Sequence, residues 1–300
     1  GTYLCKQKQI LKTKAGKTYY SLTLQDKTGT ADGKIWELNN GIANFEPMDY
    51  IHCEGMVTSF QGNLQMNISR VRISDEGEYD PADYVPCTNK DVGEMFSRIL
   101  KYVASVQNKY LRKILEMYFV ENKEFVDAFK KHSAAKSVHH GFMGGLLEHT
   151  LSVTDMCQYF AEHYPMIHRD LLITAALFHD MGKIQEISDF PMNDYTDDGQ
   201  LLGHIYIGAR CMENAAAQIP NFPPKLKNEL VHCILAHHGK MEFGSPKVPA
   251  IMEAMALHMA DNADAKLQTL TEVFTQAGDN MGWLGFNRMF ESNLRKTSEE

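Results

Sequence analysis

The sequence predicts a chain of two parts, a small N-terminal β-barrel followed by an all-α domain, and two observations carry that prediction. Residues 3–74 alternate apolar and polar side chains with period two, as half-buried strands do; from residue 89 onward the spacing changes to the threes and fours of amphipathic helices. Between them, residues 75–90 (DEGEYDPADYVPCTNK) carry clustered acids and two prolines, which interrupt both patterns. The expected organisation is a barrel over 1–78, a linker over 79–90 and a helical domain over 91–300.

In order along the chain, the strand candidates are YLCKQKQIL, KTYYSLTLQD, ADGKIWEL, MDYIHCEGMVTSF and NLQMNISRVRI, separated by the turn stretches KAGK, DKTGTADG and QGN. A short helix is expected near residues 40–45. Five strands in this length point to a closed Greek-key barrel, with an OB-fold as the leading candidate. Such barrels hold single-stranded nucleic acid by stacking bases on aromatics and tracking phosphates with cations. Lys12, Lys14 and Lys17 lie in a run with no acid before Asp26, and Arg70 lies in another, so these four are the candidate phosphate contacts. Tyr19, Tyr20, Trp36 and Phe60 are the stacking candidates. In a regular strand the adjacent Tyr19 and Tyr20 face opposite sides, so one of them points outward.

The helical part opens on Val92, Phe96, Ile99 and Val103, then Leu111, Ile114, Leu115 and Tyr118. Several of its apolar helices end or break on metal-type ligands. GGLLEHT supplies His149, LFHDMGK supplies His179 and Asp180, LLGHIYIG supplies His204, ILAHHGK supplies His237 and His238, and LHMADNADAK supplies Asp261. Each alone has an ordinary explanation as a core histidine, a helix-end cation or a solvated acid. Together, five separated segments delivering only imidazoles and carboxylates suit a borderline or hard divalent ion, and not a structural thiolate site.

The count exceeds one ion. His149, His179, Asp180 and Asp261 suffice for a first; His204, His237 and His238 remain for a second, with Asp180 able to bridge. Two ions held roughly 3.5–4 Å apart acidify a water and clamp the attacking and leaving oxygens of a phosphoryl displacement. Lys183, four residues after His179, offers a fixed positive charge to phosphate. Asp264, three residues beyond Asp261, is placed to orient a ligand rather than to be one.

The ordered His149, His179–Asp180 and Asp261 resemble the HD-domain metal-dependent phosphohydrolases, and the added histidines resemble their two-metal members. VHHGFMGGLLEHTLSV, FHDMGKI, DYTDDGQLLGHI and AHHGKMEFGSPKVPAIMEAMALHMADNADAK, behind an OB-like barrel, are similar to the YhaM-type 3′–5′ exoribonucleases over essentially the whole chain. That resemblance implies a manganese-assisted enzyme, with iron or zinc as alternatives, that removes nucleotides from the 3′ end of single-stranded RNA, and also of single-stranded DNA, as 5′-mononucleotides. It also implies that His139 and His140 contact the scissile phosphate or protonate the leaving oxygen. Cyclic-dinucleotide phosphodiesterases of the HD-GYP type carry Gly-Tyr-Pro after the paired histidines; here Gly244-Ser245-Pro246 stands instead, which argues against that activity.

A formal net charge of −8 disfavours indiscriminate coating of nucleic acid. The six cysteines show no C-x-x-C spacing, which argues against a disulfide framework or zinc knuckle and for a reducing, cytoplasmic setting. No apolar run approaches the roughly 20 residues needed to span a bilayer, and no signal-peptide pattern opens the chain, which lacks an initiator methionine as a trimmed chain would. The 17 methionines leave room for the apolar interface of a homo-oligomer, although core filling uses most of them. Competing readings are a small-nucleotide or cyclic-nucleotide phosphohydrolase that uses the barrel for assembly, a nucleic-acid-binding regulator with a dead metal site, and a related iron oxygenase.

Overall fold

The computed structural model describes residues 1–60, 63–136 and 140–298, apart from the side chains of Phe60 and Asn63. The chain divides into two compact units: Gly1–Cys87 with Asp189–Met192, and Thr88–Ser188 with Asn193–Glu300.

The first unit is a closed barrel. Strands β1 (Thr2–Lys12), β2 (Thr18–Asp26), β3 (Gly29–Ile35), β4 (Tyr50–Phe60) and β5 (Asn63–Ile73) join in the order β1-β2-β3-β5-β4, and β4 returns to β1. Neighbours are antiparallel except β3 and β5, which run parallel. This is the expected five-stranded OB-type barrel. Alternation selects its interior: Leu22, Leu24, Ile35, Ile51, Ile68 and Val71 are buried together, with Tyr20 packed against them.

Two local expectations differ. Residues 40–45 form no helix: the Asn39 side chain accepts the Gly41 N–H, and Ile42 pairs with Val71 as an isolated bridge, so the local hydrogen bonds serve a turn. Residues 79–87, expected within the linker, group with the barrel. Tyr79 stacks on Tyr50 at 4.0 Å, Tyr84 meets Tyr50 edge-on at 5.3 Å, and the Gln25 amide donates to the Tyr84 carbonyl at 2.6 Å. Aromatic burial outweighs the acid- and proline-rich composition here.

The second unit is helical: α1 (Val92–Ser105), α2 (Lys109–Phe119), α3 (Lys123–Lys131), α4 (Gly145–His163), α5 (Arg169–Phe178), α6 (Lys183–Glu186), α7 (Asp197–Ala217), α8 (Pro224–Ala236) and α9 (Met252–Gln276). Asp91, Asn108, Asn122 and Thr196 cap α1, α2, α3 and α7 by accepting first-turn backbone N–H groups. Helix α5 lies at the centre, packed by α2, α4, α8 and α9, and every residue from Leu171 to Phe178 is buried. Fully burying a leucine or phenylalanine side chain contributes about 1.5–3 kcal/mol, so α5 anchors whatever follows it. The helical pattern does not run to the end as expected. After α9, a segment holding Gly278, Gly282 and Gly285 makes, among the described residues, only the short strands β6 (Phe286–Asn287) and β7 (Ser292–Asn293). Among the described residues, no helix is long and apolar enough to cross a membrane.

Candidate metal centre

The end of α5 shows how the backbone aims a ligand. His179 takes the C-cap position, and its Nδ1 lies 2.7 Å from the Ala176 carbonyl oxygen. A carbonyl can only accept, so Nδ1 carries the proton and Nε2 keeps its lone pair. The end of α8 repeats the device: His237 Nδ1 donates to Ile234 O at 2.7 Å, and His238 Nδ1 donates to Phe243 O at 2.7 Å.

Two further histidines are held by carboxylates. His149 Nδ1, on α4, donates to Asp264 Oδ2 at 2.6 Å, and His204 Nδ1, on α7, donates to Glu186 Oε1 at 2.9 Å. His204 owes its place to Gly203, whose φ of 72° and ψ of 153° break α7 one residue earlier; a side chain there would be strained. All five histidines therefore commit Nδ1 to an acceptor and leave Nε2 to a ligand, the arrangement by which metal-binding imidazoles are oriented.

The Nε2 atoms converge on Asp180. His149 and His179 bring theirs within 3.1 Å of each other, and within 3.3 and 3.4 Å of Asp180 Oδ2. Asp261 Oδ1 closes that set, 3.2 Å from His149 Nε2. The other Asp180 oxygen, Oδ1, lies 3.5 Å from His204 Nε2 and 3.6 Å from His237 Nε2. The donor atoms of His149, His179 and Asp261 fall within 4.8 Å of one another, and so do those of Asp180, His204, His237 and His238. Asp180 Oδ1, His204 Nε2 and His237 Nε2 are buried with no hydrogen-bond partner among the described residues. Converging lone pairs that are buried and unpaired are costly unless a cation draws them together, so the donor set fits divalent metal.

The electrostatics agree with a cation site. Burial works against charge on Asp180, yet Lys183 and the surrounding histidines hold its carboxyl well below the usual range. Lys183, half-buried, keeps its ammonium 2.7 Å from Asp180 Oδ2, and the aspartate outweighs the desolvation that would discharge it. Burial opposes charge on His149, but Asp180, Asp261 and Asp264 overcome it and raise its pKa well above the ordinary histidine value. Burial and the neighbouring His237 push His238 down to about 4, so it is neutral and free to ligate at physiological pH.

The structure thus gathers His149, His179, Asp180, Lys183, His204, His237, His238 and Asp261 into one centre. His140 sits apart from the expected phosphate contact. It is 1% exposed and turned onto Asp264, with Nε2 2.9 Å from Oδ2, so it braces the carboxylate that orients His149. His139 lies outside the described residues. Sequence reasoning missed Glu186, the partner of His204, and Ser152, which donates to Asp264 Oδ1. Glu186 follows Lys183 by three on a helical turn, a spacing that could have flagged it. A cavity of about 400 Å³ opens on the centre, lined by Lys183, Glu186, His204, His238 and Asp261 together with Tyr195, Phe243, His258 and Asn262.

On the barrel, Lys12 and Lys14 are exposed, Lys17 pairs with Glu37 at 3.2 Å, and Arg70 lies 3.8 Å from Glu54. Tyr19 faces outward and stacks on the exposed Trp36 at 4.6 Å, and Trp36 Nε1 donates to Asn67. Tyr20 points inward against Phe45 with the Lys8 ammonium 4.9 Å from its ring, which removes it from the stacking candidates. Phe60 ends β4; its side chain lies outside the described residues.

An imidazole–carboxylate centre built on helix ends in this order defines the HD class, and residues 146–266 match the HD domain family model. The chain is 32% identical over 257 residues to the 3′-5′ exoribonuclease YhaM of Geobacillus sp. (strain WCH70), covering 85% of this chain and 78% of that protein. The YhaM proteins of Bacillus subtilis (strain 168) and Listeria innocua are 32% and 33% identical, over 81% and 82% of their lengths. The chain belongs to the YhaM family of 3′-5′ exoribonucleases. A solved OB-fold domain of replication protein A from Methanococcus maripaludis aligns with 26% of this chain and 84% of its own, at 19% identity and a TM-score of 0.20. The barrel assignment rests on strand order instead.

Proposed function

We propose that this protein is a 3′–5′ exoribonuclease that shortens single-stranded RNA, and accepts single-stranded DNA, releasing 5′-mononucleotides at a centre of two manganese ions. His149, His179 and Asp261 would hold one ion, His204, His237 and His238 the other, and Asp180 both. Such a pair, when bound, supplies an acidified water and charge stabilisation for the oxygens entering and leaving phosphorus. The chain does the rest: Asp264 and Glu186 orient His149 and His204, and the Lys183 ammonium keeps a positive charge on the pocket wall for phosphate.

The observation that carries the two-ion reading is that Asp180 turns Oδ1 to one ligand set and Oδ2 to the other. The barrel supports the strand reading through Tyr19 and Trp36, with Lys12, Lys14, Lys17 and Arg70 as phosphate contacts. Among the described residues no cysteine is paired in a disulfide, which suits action in the reducing cytoplasm. The exposed methionines of α9, Met252, Met255 and Met259, suit self-association. The deciding test is incubation of an end-labelled single-stranded RNA with manganese-loaded protein. A ladder receding from the 3′ end with mononucleotide release is expected. Hydrolysis of free or cyclic nucleotides with intact RNA would favour a small-nucleotide phosphohydrolase instead.

A further inference from the structure

Two aromatic rings stand in the wall of the metal pocket without a role in holding it together. Tyr195 and Phe243 line the same cavity as Lys183, His204, His238 and Asp261, yet are 46% and 55% exposed and belong to no core cluster. They arrive from different segments. Tyr195 pairs with Ile187 as an isolated bridge just beyond α6, and its N–H donates to Asp194 Oδ1 at 2.7 Å. Phe243 ends a short 3₁₀ turn beyond α8, and its carbonyl accepts the His238 Nδ1 proton, which ties the ring's segment directly to a candidate ligand. Each ring also carries a lysine: Lys136 Nζ lies 5.9 Å from the Tyr195 centroid and Lys240 Nζ 5.3 Å from that of Phe243. Acids hold both lysines, Asp194 at 2.5 Å and Glu242 at 3.2 Å.

An exposed ring offers a π face to a ligand, and these two flank a polar pocket whose other groups suit phosphate. Rings paired with cations are the combination that grips single strands, because every nucleobase has a π face and every nucleotide a phosphate. The cavity's volume of about 400 Å³ falls in the range of about 300–1,000 Å³ typical of small-ligand sites. We propose that Tyr195 and Phe243 stack on the nucleobase of the strand's terminal nucleotide and so place its phosphodiester at the metal centre, whatever the base. This rests on the exonuclease reading and adds to it the groups that recognise the substrate.

The test compares 5′-AMP with ribose 5-phosphate, which lacks the base, as ligands of the manganese-loaded two-domain protein by calorimetry. The wild type is expected to bind AMP about tenfold or more tightly than ribose 5-phosphate. Tyr195→Ala and Phe243→Ala should each weaken AMP binding about fivefold or more and leave ribose 5-phosphate unchanged, whereas Tyr195→Phe should retain the preference. Equal affinity of the wild type for the two ligands, or equal loss of both in folded alanine variants, overturns the clamp. Shortening of RNA with no discrimination between the ligands sinks the clamp alone; ring-dependent AMP binding without RNA shortening supports the clamp and sinks the exonuclease reading.

Discussion

Asp180 is the one side chain on which both ligand sets depend, since its two oxygens face different histidines. Asp180→Ala is expected to abolish hydrolysis and lower manganese content from about two ions per chain. Metal analysis beside circular dichroism checks that the loss is not unfolding. Lys183→Ala should keep the metal and slow turnover by about 10²–10³-fold, as the loss of a charge-stabilising donor does; unchanged turnover would reduce Lys183 to a helix-end cation. The histidines differ in how they meet a cation. His149 has a raised pKa, so below that value a metal at Nε2 must displace a proton, and its affinity rises with pH. His237 and His238 have lowered pKa values, His238 about 4, so above that value His238 has no proton to release. Calorimetry of manganese binding at neutral pH in buffers of different ionisation heat should therefore reveal proton release that His149→Ala removes.

At the scale of the element, the centre depends on how helices end. An apolar helix such as α5 is buried from Leu171 to its last residue, so its C-cap is held as firmly as its core, and His179 and Asp180 inherit that position. The ends of α5 and α8 both use an imidazole to satisfy a carbonyl three residues earlier, which fixes the ring and the tautomer at once. At the end of α8, Gly239 completes the turn with φ of +77°, and a Cβ there would sit 2.2 Å from the His258 ring. Truncating the wall of α5 tests the dependence. Phe178→Ala leaves a cavity among Tyr118 and Phe119 and should cost about 3–5 kcal/mol in chemical denaturation. If the centre needs α5 held rigidly, metal affinity should fall as well; unaltered affinity would show that the helix end is positioned by α8 and α9 alone.

At the scale of the molecule, the barrel carries the outward stack of Tyr19 and Trp36, and the helical unit carries every candidate metal ligand. The cut that separates them belongs after Cys87, because Tyr79 and Tyr84 pack on Tyr50. A chain beginning at Thr88 is expected to hydrolyse very short oligonucleotides and to lose affinity for longer RNA. Its binding should also depend less on salt, since each lost phosphate contact removes roughly one released counterion. Filter binding across a salt series measures both; unchanged affinity and slope on long RNA would assign the barrel to assembly.

Period-two alternation in residues 3–74 and the helical spacing after residue 89 were enough to predict a barrel and a helical domain, because burying one face of a strand or helix imposes its period on the sequence. The candidate ligands were legible for a related reason: histidines and aspartates interrupting apolar helices stand out from their surroundings. What no local pattern carries is which distant groups meet. That Asp264 and Glu186 orient His149 and His204, that His140 faces Asp264, that Tyr20 turns inward while Tyr19 stacks on Trp36, and that Tyr79 joins the barrel are consequences of packing between segments far apart in the chain. Residue type and spacing decide which chemistry is available; contacts between remote elements decide which atom of each side chain is left to perform it.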